Sequence, residues 1–193
     1  MVNRLVTIKR ITDLFLVLVA LAIFFVPMLL VALCVLLTSE GPIIFWSDRV
    51  GRSNHLFKMP KFRTMRVNTP NVATHLLSSA GQYLTPIGGF LRKSSLDELP
   101  QLWSVLVGDM SFVGPRPALY NQYDLIDMRV GAGVDELLPG ITGWAQVNGR
   151  DELSLQEKVY LDRQYLDRQS FLFDQYVLFL TILKVFRREG ISH

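Results

Sequence analysis

The sequence predicts an α+β, mainly helical chain that rests on one face of a membrane. Residues 1–40 form a re-entrant helix-break-helix hairpin in the bilayer, and residues 41–193 form a small cytosol-facing domain. Three observations predict this. An uncharged apolar run occupies Leu14 to Leu37, a proline interrupts it at Pro27, and cations crowd both of its flanks.

The apolar run is about 24 residues long, roughly what a helix needs to cross a bilayer. A cleaved signal peptide would have a shorter apolar region followed by small residues. Pro27 removes one helical hydrogen bond and crowds the preceding turn, so a bend is expected there. Arg4, Lys9 and Arg10 precede the run, and Arg49, Arg52, Lys58, Lys61, Arg63 and Arg66 follow it. Lys and Arg resist translocation, so both flanks favour the cytoplasmic side. A straight span cannot satisfy both flanks, whereas a hairpin that enters and leaves by one face can.

Hydrophobic residues make up 50% of the 193 positions and charged residues 19%, a greasier balance than that of an ordinary soluble domain. The net charge of +3 suits phosphate ligands or anionic lipid. It is no nucleic-acid footprint, because no arginine-rich run or aromatic-spaced basic stripe accompanies it. Cys34 is the single cysteine, which excludes intramolecular disulfides and thiolate zinc clusters.

Beyond the hairpin, Gly41-Pro42 marks a turn and Ile43–Trp46 reads as a short strand or an interfacial segment. The cations of His55–Met65 read as a solvated, membrane-facing edge, and Val67–Gln82 as a loop around a weak helical stretch. A helical pattern runs from Ser94 to Gly108, and Gly114-Pro115-Arg116-Pro117 is irregular and stiff. Pro139 to Gly149 is a glycine-rich loop. Ser154 and Glu157 form a capping box ahead of a helix to about Leu166. The last helix, Ser170 to about Arg188, is apolar over much of its circumference, which suits either core packing or the membrane interface.

Asp97 and Glu98 are the acids best placed for chemistry. Ser95 with Glu98 matches a capping box, which would make them structural. Pro100 argues instead for a helix that begins near it, leaving both acids in a shaped turn at its mouth. Successive side chains diverge there, so one carboxylate could attack phosphorus while its neighbour organises a metal ion. Arg116, stiffened by a proline on either side, suits bidentate phosphate recognition or a structural salt bridge. Arg150, after Gly140, Gly143 and Gly149, invites the same comparison. No P-loop, dinucleotide fingerprint, H-E-x-x-H helix or D-x-D signature occurs.

Four motifs appear in order: Lys58-x-x-Lys61-Phe62-Arg63-Thr64-Met65, Ser95-Leu96-Asp97-Glu98-Leu99-Pro100-Gln101-Leu102, Gly108-Asp109-Met110-Ser111-Phe112-Val113-Gly114-Pro115-Arg116-Pro117, and Pro139 to Arg150. As a set they resemble the bacterial sugar transferase family, the monotopic phosphoglycosyl transferases, over about Lys9 to Val185. The resemblance implies a polyprenyl-phosphate sugar-1-phosphate transferase. Asp97 would be the nucleophile toward a UDP-sugar, and Glu98 its partner acid, the two organising Mg²⁺. Arg116 would clamp phosphate. Lys61, Arg63 and Arg150 would bind the diphosphate or carrier phosphate, and Asp174 matches a family acid near the active site.

The implied partners are a UDP-sugar, polyprenol (undecaprenyl) phosphate, membrane lipid and downstream glycosyltransferases, with no nucleic acid. The implied location is the cytoplasmic face of the bacterial inner membrane, with interfacial helices around the catalytic domain. The family's hairpin breaks at a Ser-Pro pair. Here Val26 precedes Pro27 and offers no hydroxyl to the freed carbonyl, so the resemblance does not set the hairpin's angle. Larger relatives carry a further multi-span N-terminal region, which this chain is expected to lack. A rival reading, an inactive relative serving as a membrane scaffold, would be expected to have lost Asp97 or Arg116.

Overall fold

The computed structural model describes residues 2–70, 80–149 and 152–187. In chain order its elements are helix α1 (Val2–Thr38), strands β1 (Ile44–Val50) and β2 (Leu56–Phe62), helix α2 (Gly88–Lys93) and a 3₁₀ turn (Leu96–Gln101). Helix α3 (Leu102–Val107), strand β3 (Ser111–Val113), helix α4 (Tyr123–Gly131) and strand β4 (Gly140–Thr142) follow. Helices α5 (Trp144–Val147), α6 (Leu155–Arg168) and α7 (Phe171–Arg187) complete the chain.

Helices predominate and the two sheets are small, as expected. The helix break expected at Pro27 is not confirmed: α1 runs as helix from Val2 to Thr38, with Pro27 inside it. A proline costs a helix one hydrogen bond, which apolar helix-forming residues on both sides can outweigh in a membrane segment. Residues Ile8–Thr38 are long and apolar enough to cross a bilayer by length and composition.

Helix α1 touches the rest of the chain in two stretches. Val17, Ala20 and Leu21 pack with Met59, Leu102 and Val105. Further on, Met28, Val31, Ala32 and Val35 pack with Phe62 and Leu91. Between the two stretches, Ala22 to Val26 are all exposed. Five consecutive residues exceed one helical turn, so no side of the helix meets the body there.

The polar residues of α1 dock its first turns. The Arg10 guanidinium donates to the carbonyls of Val105 (2.6 Å) and Leu106 (2.8 Å), at the end of α3. A cation at a helix C-terminus satisfies carbonyls that lack an intrahelical partner. Buried Asp13 accepts from Ser111 Oγ and from the backbone N–H of Phe112, both at 3.0 Å. Lys9 donates to Val113 O (2.9 Å) and pairs with Asp174 (2.7 Å).

Strands β1 and β2 form an antiparallel hairpin in which Phe45 faces Lys61 and Ser47 faces Met59. Its turn holds Ser53 and Asn54 in the left-handed region, at φ 52° and 60°. The segment His55–Met65 was expected to be a solvated edge. Instead most of it is β2, with Met59 and Phe62 in the core and the Lys61 side chain only 16% exposed. Helix α4 had no counterpart in the sequence reading. The capping box of α6 matches it: Ser154 Oγ accepts from Glu157 N, and Glu157 accepts from Ser154 N at 2.8 Å.

Strands β3 and β4 lie parallel, pairing Ser111 with Gly140 and Val113 with Thr142. This joins two motifs about thirty residues apart in sequence and explains their glycines. A Cβ on Gly114 would fall on the carbonyl oxygen of Leu138, and one on Gly140 would fall on Gly114 N and Thr142 O. Only glycine permits backbones to approach so closely. Gly140→Ala is therefore expected to cost about 3 kcal/mol by overpacking, seen as a lower thermal midpoint and faster proteolysis in detergent.

Candidate functional site

The 3₁₀ turn Leu96–Gln101 presents both acids. Its N-terminal neighbour, Ser95, sits in the left-handed region at φ 55° and makes no side-chain cap. The capping-box alternative therefore fails. Ser95 accepts at its carbonyl from Glu98 N at 3.1 Å, and its own N–H donates to Arg92 O at 3.1 Å. The α-helix proper begins beyond Pro100, at Leu102, so Asp97 and Glu98 occupy a turn at its mouth. A non-glycine residue in this backbone region costs about 1 kcal/mol or more and persists only where its surroundings enforce it.

The two acids have different surroundings. Glu98 Oε1 accepts from Lys61 Nζ at 2.8 Å and from Arg116 Nη2 at 2.7 Å, so one oxygen ties together β2, the turn and the Pro115–Pro117 segment. Asp97 is 7% exposed and, among the described residues, makes no hydrogen bond or ion pair. Burial pushes its carboxyl above the ordinary carboxylate range, reinforced by the negative charge of Glu98 and opposed by Lys61, Arg92 and Arg116. Burial also lowers Lys61, against the pull of Glu98.

The segment carrying Arg116 is held at four consecutive carbonyls. Pro115 O accepts from Gly140 N (2.8 Å) and Arg116 O from Arg129 Nη1 (2.8 Å). Pro117 O accepts from Arg49 Nη1 (3.2 Å) and Ala118 O from Val50 N (3.0 Å). Arg129 is itself fixed by Asp162 on α6, through Nε at 3.0 Å and Nη2 at 2.7 Å. An arginine so anchored can meet an incoming oxyanion with little loss of entropy.

The structure brings together Asp97, Glu98, Lys61 and Arg116 from the residues singled out in the sequence. Arg63 lies elsewhere: its Nε donates to Pro42 O at 2.7 Å and its guanidinium stands 6.0 Å from the Phe45 ring centre. Asp174 is in a separate cluster, between Lys9 and the Tyr165 hydroxyl (2.6 Å). There it fastens α7 to α1. Pro27 lies within α1, and Arg150 lies outside the described residues.

Sequence reasoning passed over Arg49, Arg129 and Asp162. Asp162 had a signal, because it shares the buried stripe of α6 with Val159 and Tyr165 at three-residue spacing. An acid on such a stripe needs a buried cation. Arg49 and Arg129 had no such signal.

With this geometry in view, the chain can be set beside known proteins. The family described as "Bacterial sugar transferase" matches residues 4–188. The chain belongs to that family. Its class is therefore transferase. It is 40% identical over 185 residues to "Uncharacterized sugar transferase EpsL" of Bacillus subtilis (strain 168), covering 96% of this chain and 90% of that protein.

It is also 40% identical over 194 residues to "UDP-glucose:undecaprenyl-phosphate glucose-1-phosphate transferase" of Escherichia coli (strain K12), covering 96% of this chain but 41% of that protein. To "Undecaprenyl-phosphate galactose phosphotransferase" of Salmonella typhimurium it is 39% identical over 168 residues, 78% of this chain and 34% of that protein. The chain thus spans nearly the whole of the first relative and well under half of the other two.

The Arg129–Asp162 pair carries a prediction for this family member. Arg129→Met leaves Asp162 buried without its cation, and is expected to cost about 3–5 kcal/mol. Replacing both residues with apolar ones should recover much of that stability by thermal unfolding. The double variant should remain impaired in activity, because Arg116 O loses its donor.

Proposed function

We propose that this chain transfers a sugar 1-phosphate from a UDP-sugar to a polyprenol phosphate, through a covalent phosphoryl-Asp97 intermediate. The observation that carries the reading is the contrast between two adjacent acids: Glu98 engaged by two cations, Asp97 buried and, among the described residues, without a hydrogen-bond partner. A carboxylate stripped of hydrogen bonds is a better nucleophile than a solvated one. The names of the Escherichia coli and Salmonella relatives support the same reaction class.

In the first step an Asp97 oxygen attacks the β-phosphorus of the UDP-sugar. The bond from that phosphorus to the oxygen bridging the α and β positions breaks, and UMP leaves with the electron pair. In the second step an oxygen of the carrier phosphate attacks the same phosphorus. The phosphorus–Asp97 bond breaks, giving a polyprenyl diphosphate sugar and restoring the carboxylate. Arg116 and Lys61, which meet at Glu98 beside Asp97, are the cations available to offset charge on the phosphoryl oxygens, the largest demand of such transfers.

Two neighbouring carboxylates, one of them without a hydrogen-bond partner among the described residues, fit Mg²⁺, which commonly takes one or two carboxylates and fills its shell with phosphate and water. Asp97 and Glu98 would hold it, and when bound it supplies charge neutralisation at the diphosphate. Among the described residues no group of three metal-ligating side chains occurs, and this mode of binding needs none.

Membrane attachment through α1 gives the enzyme access to a lipid acceptor. The two packed stretches of α1, with Ala22–Val26 clear of the body between them, support an arch that enters and leaves by the cytoplasmic leaflet. The apolar face of α7 adds to the membrane-facing surface, with Leu172 78% exposed and Phe179 and Ile182 both 56% exposed.

Two measurements test the proposal. UMP release by nanodisc-held protein, with Mg²⁺, polyprenol phosphate and a panel of UDP-sugars, should occur with a preferred donor. Asp97→Asn should lower it about 1000-fold or more. A folded protein that releases no UMP from any donor would count against the reaction. For topology, an N-terminal tag and a cysteine introduced at Ser53 should both react only from the cytoplasmic side of vesicles. Labelling from opposite sides would establish a straight span instead.

A further inference from the structure

Arg49 takes no part in the reaction as described, yet it lies at the site's edge. It sits on the face of the β1–β2 hairpin that also carries Ser47, Met59 and Lys61, since directly opposed residues of an antiparallel pair share a face. Two contacts aim its guanidinium: Nε donates to Ser47 Oγ at 3.0 Å, and Nη1 donates to Pro117 O at 3.2 Å. Pro117 directly follows Arg116.

Three features of this placement need a cause. First, Arg49 is half-buried and, among the described residues, no carboxylate lies within ion-pair distance of it. A buried guanidinium without a counter-ion is costly. Second, the charge of Arg116 stands beside it and disfavours its own: burial and then Arg116 bring Arg49 down to about 10. Third, the carboxylate that attracts it most, Glu98, is already shared by Lys61 and Arg116.

Among the described residues, the cations that act on the two acids are Arg49, Lys61, Arg92 and Arg116. A strut for Pro117 O would not require a charge, because a neutral donor could hold a carbonyl. Two neighbouring guanidinia become mutually favourable once an oxyanion lies between them.

We infer that Arg49 is a phosphate ligand of this enzyme, gripping with Arg116 a phosphoryl oxygen of one of the two substrates. The inference rests on the proposed reaction. Its chemistry is that of a phosphate group, which both the UDP-sugar and the polyprenol phosphate carry. The free guanidinium donors of Arg49 bind it while Nε and Nη1 keep the group aimed.

The experiment uses full-length protein in nanodiscs. UMP release is measured for wild type, Arg49→Gln and Arg49→Lys, varying donor and acceptor concentration separately, with UDP binding recorded alongside. Loss of one charge-assisted contact should raise the KM of the substrate it grips by about 10- to 100-fold in Arg49→Gln, and less in Arg49→Lys. A rise confined to the UDP-sugar assigns the donor diphosphate, with UDP binding weakened in parallel. A rise confined to the carrier assigns the acceptor phosphate.

A purely structural strut would lower kcat and the thermal midpoint with both KM values unchanged, and that result overturns the inference. Should Arg49→Gln fail to fold, Arg49→Lys carries the test: KM unchanged for both substrates again overturns it. If wild type releases no UMP, the reaction is wrong, and binding of UDP and of polyprenol phosphate, each measured directly, then decides the inference. Equal binding of both by wild type and the variant rejects it.

Discussion

A single carboxylate oxygen, Glu98 Oε1, organises the site. Lys61 comes to it from β2 and Arg116 from a segment far along the chain, both within 2.8 Å. Each partner alone would be costly to bury, and together they offset one another. The shared oxygen sets how far the hairpin, the 3₁₀ turn and the arginine segment stand apart. It also commits Glu98, so the neighbouring Asp97 is, among the described residues, the carboxylate without a hydrogen-bond partner. The difference in surroundings between two adjacent acids thus follows from which one the cations reach.

The rest of the domain can be seen as the apparatus that keeps Arg116 at that oxygen. Four consecutive carbonyls, Pro115 to Ala118, are held by β4, α4 and β1. The prolines remove backbone freedom, but they also remove N–H donors, so the segment must be held through its carbonyls. Gly114, just after β3, and Gly140 in β4 serve the same end by letting the strand pair close. Helix α1 joins the apparatus through Asp13 and Lys9, which grip Ser111, Phe112 and Val113 immediately before Gly114. The membrane element is therefore fastened to the strand that leads into Arg116.

Much of this was legible in the sequence, for identifiable reasons. Hydrophobic run length, caps and proline placement act locally, so α1, the capping box of α6, the stiffness around Arg116 and the extent of α7 could all be read. Pro100 correctly argued that Asp97 and Glu98 precede the α-helix. The reading failed where a local pattern has two physical outcomes. Alternating cations and aromatics in His55–Met65 suit a wet edge or a buried strand, and pairing with β1 decided for the strand. Pro27 suits a break or a tolerated interruption, and a helix that runs through it does not confirm the break.

The sequence by itself determined the family, the apolar anchor and the pair of acids, because each is written in contiguous residues. Tertiary structure alone decided which acid is paired, that Asp174 binds Lys9 away from Asp97, that Arg63 serves the α1–β1 turn, and that Arg49 stands beside Arg116. Those outcomes depend on where side chains meet across more than a dozen residues of chain. Charge there is settled by burial and proximity, neither of which has a signature in local spacing.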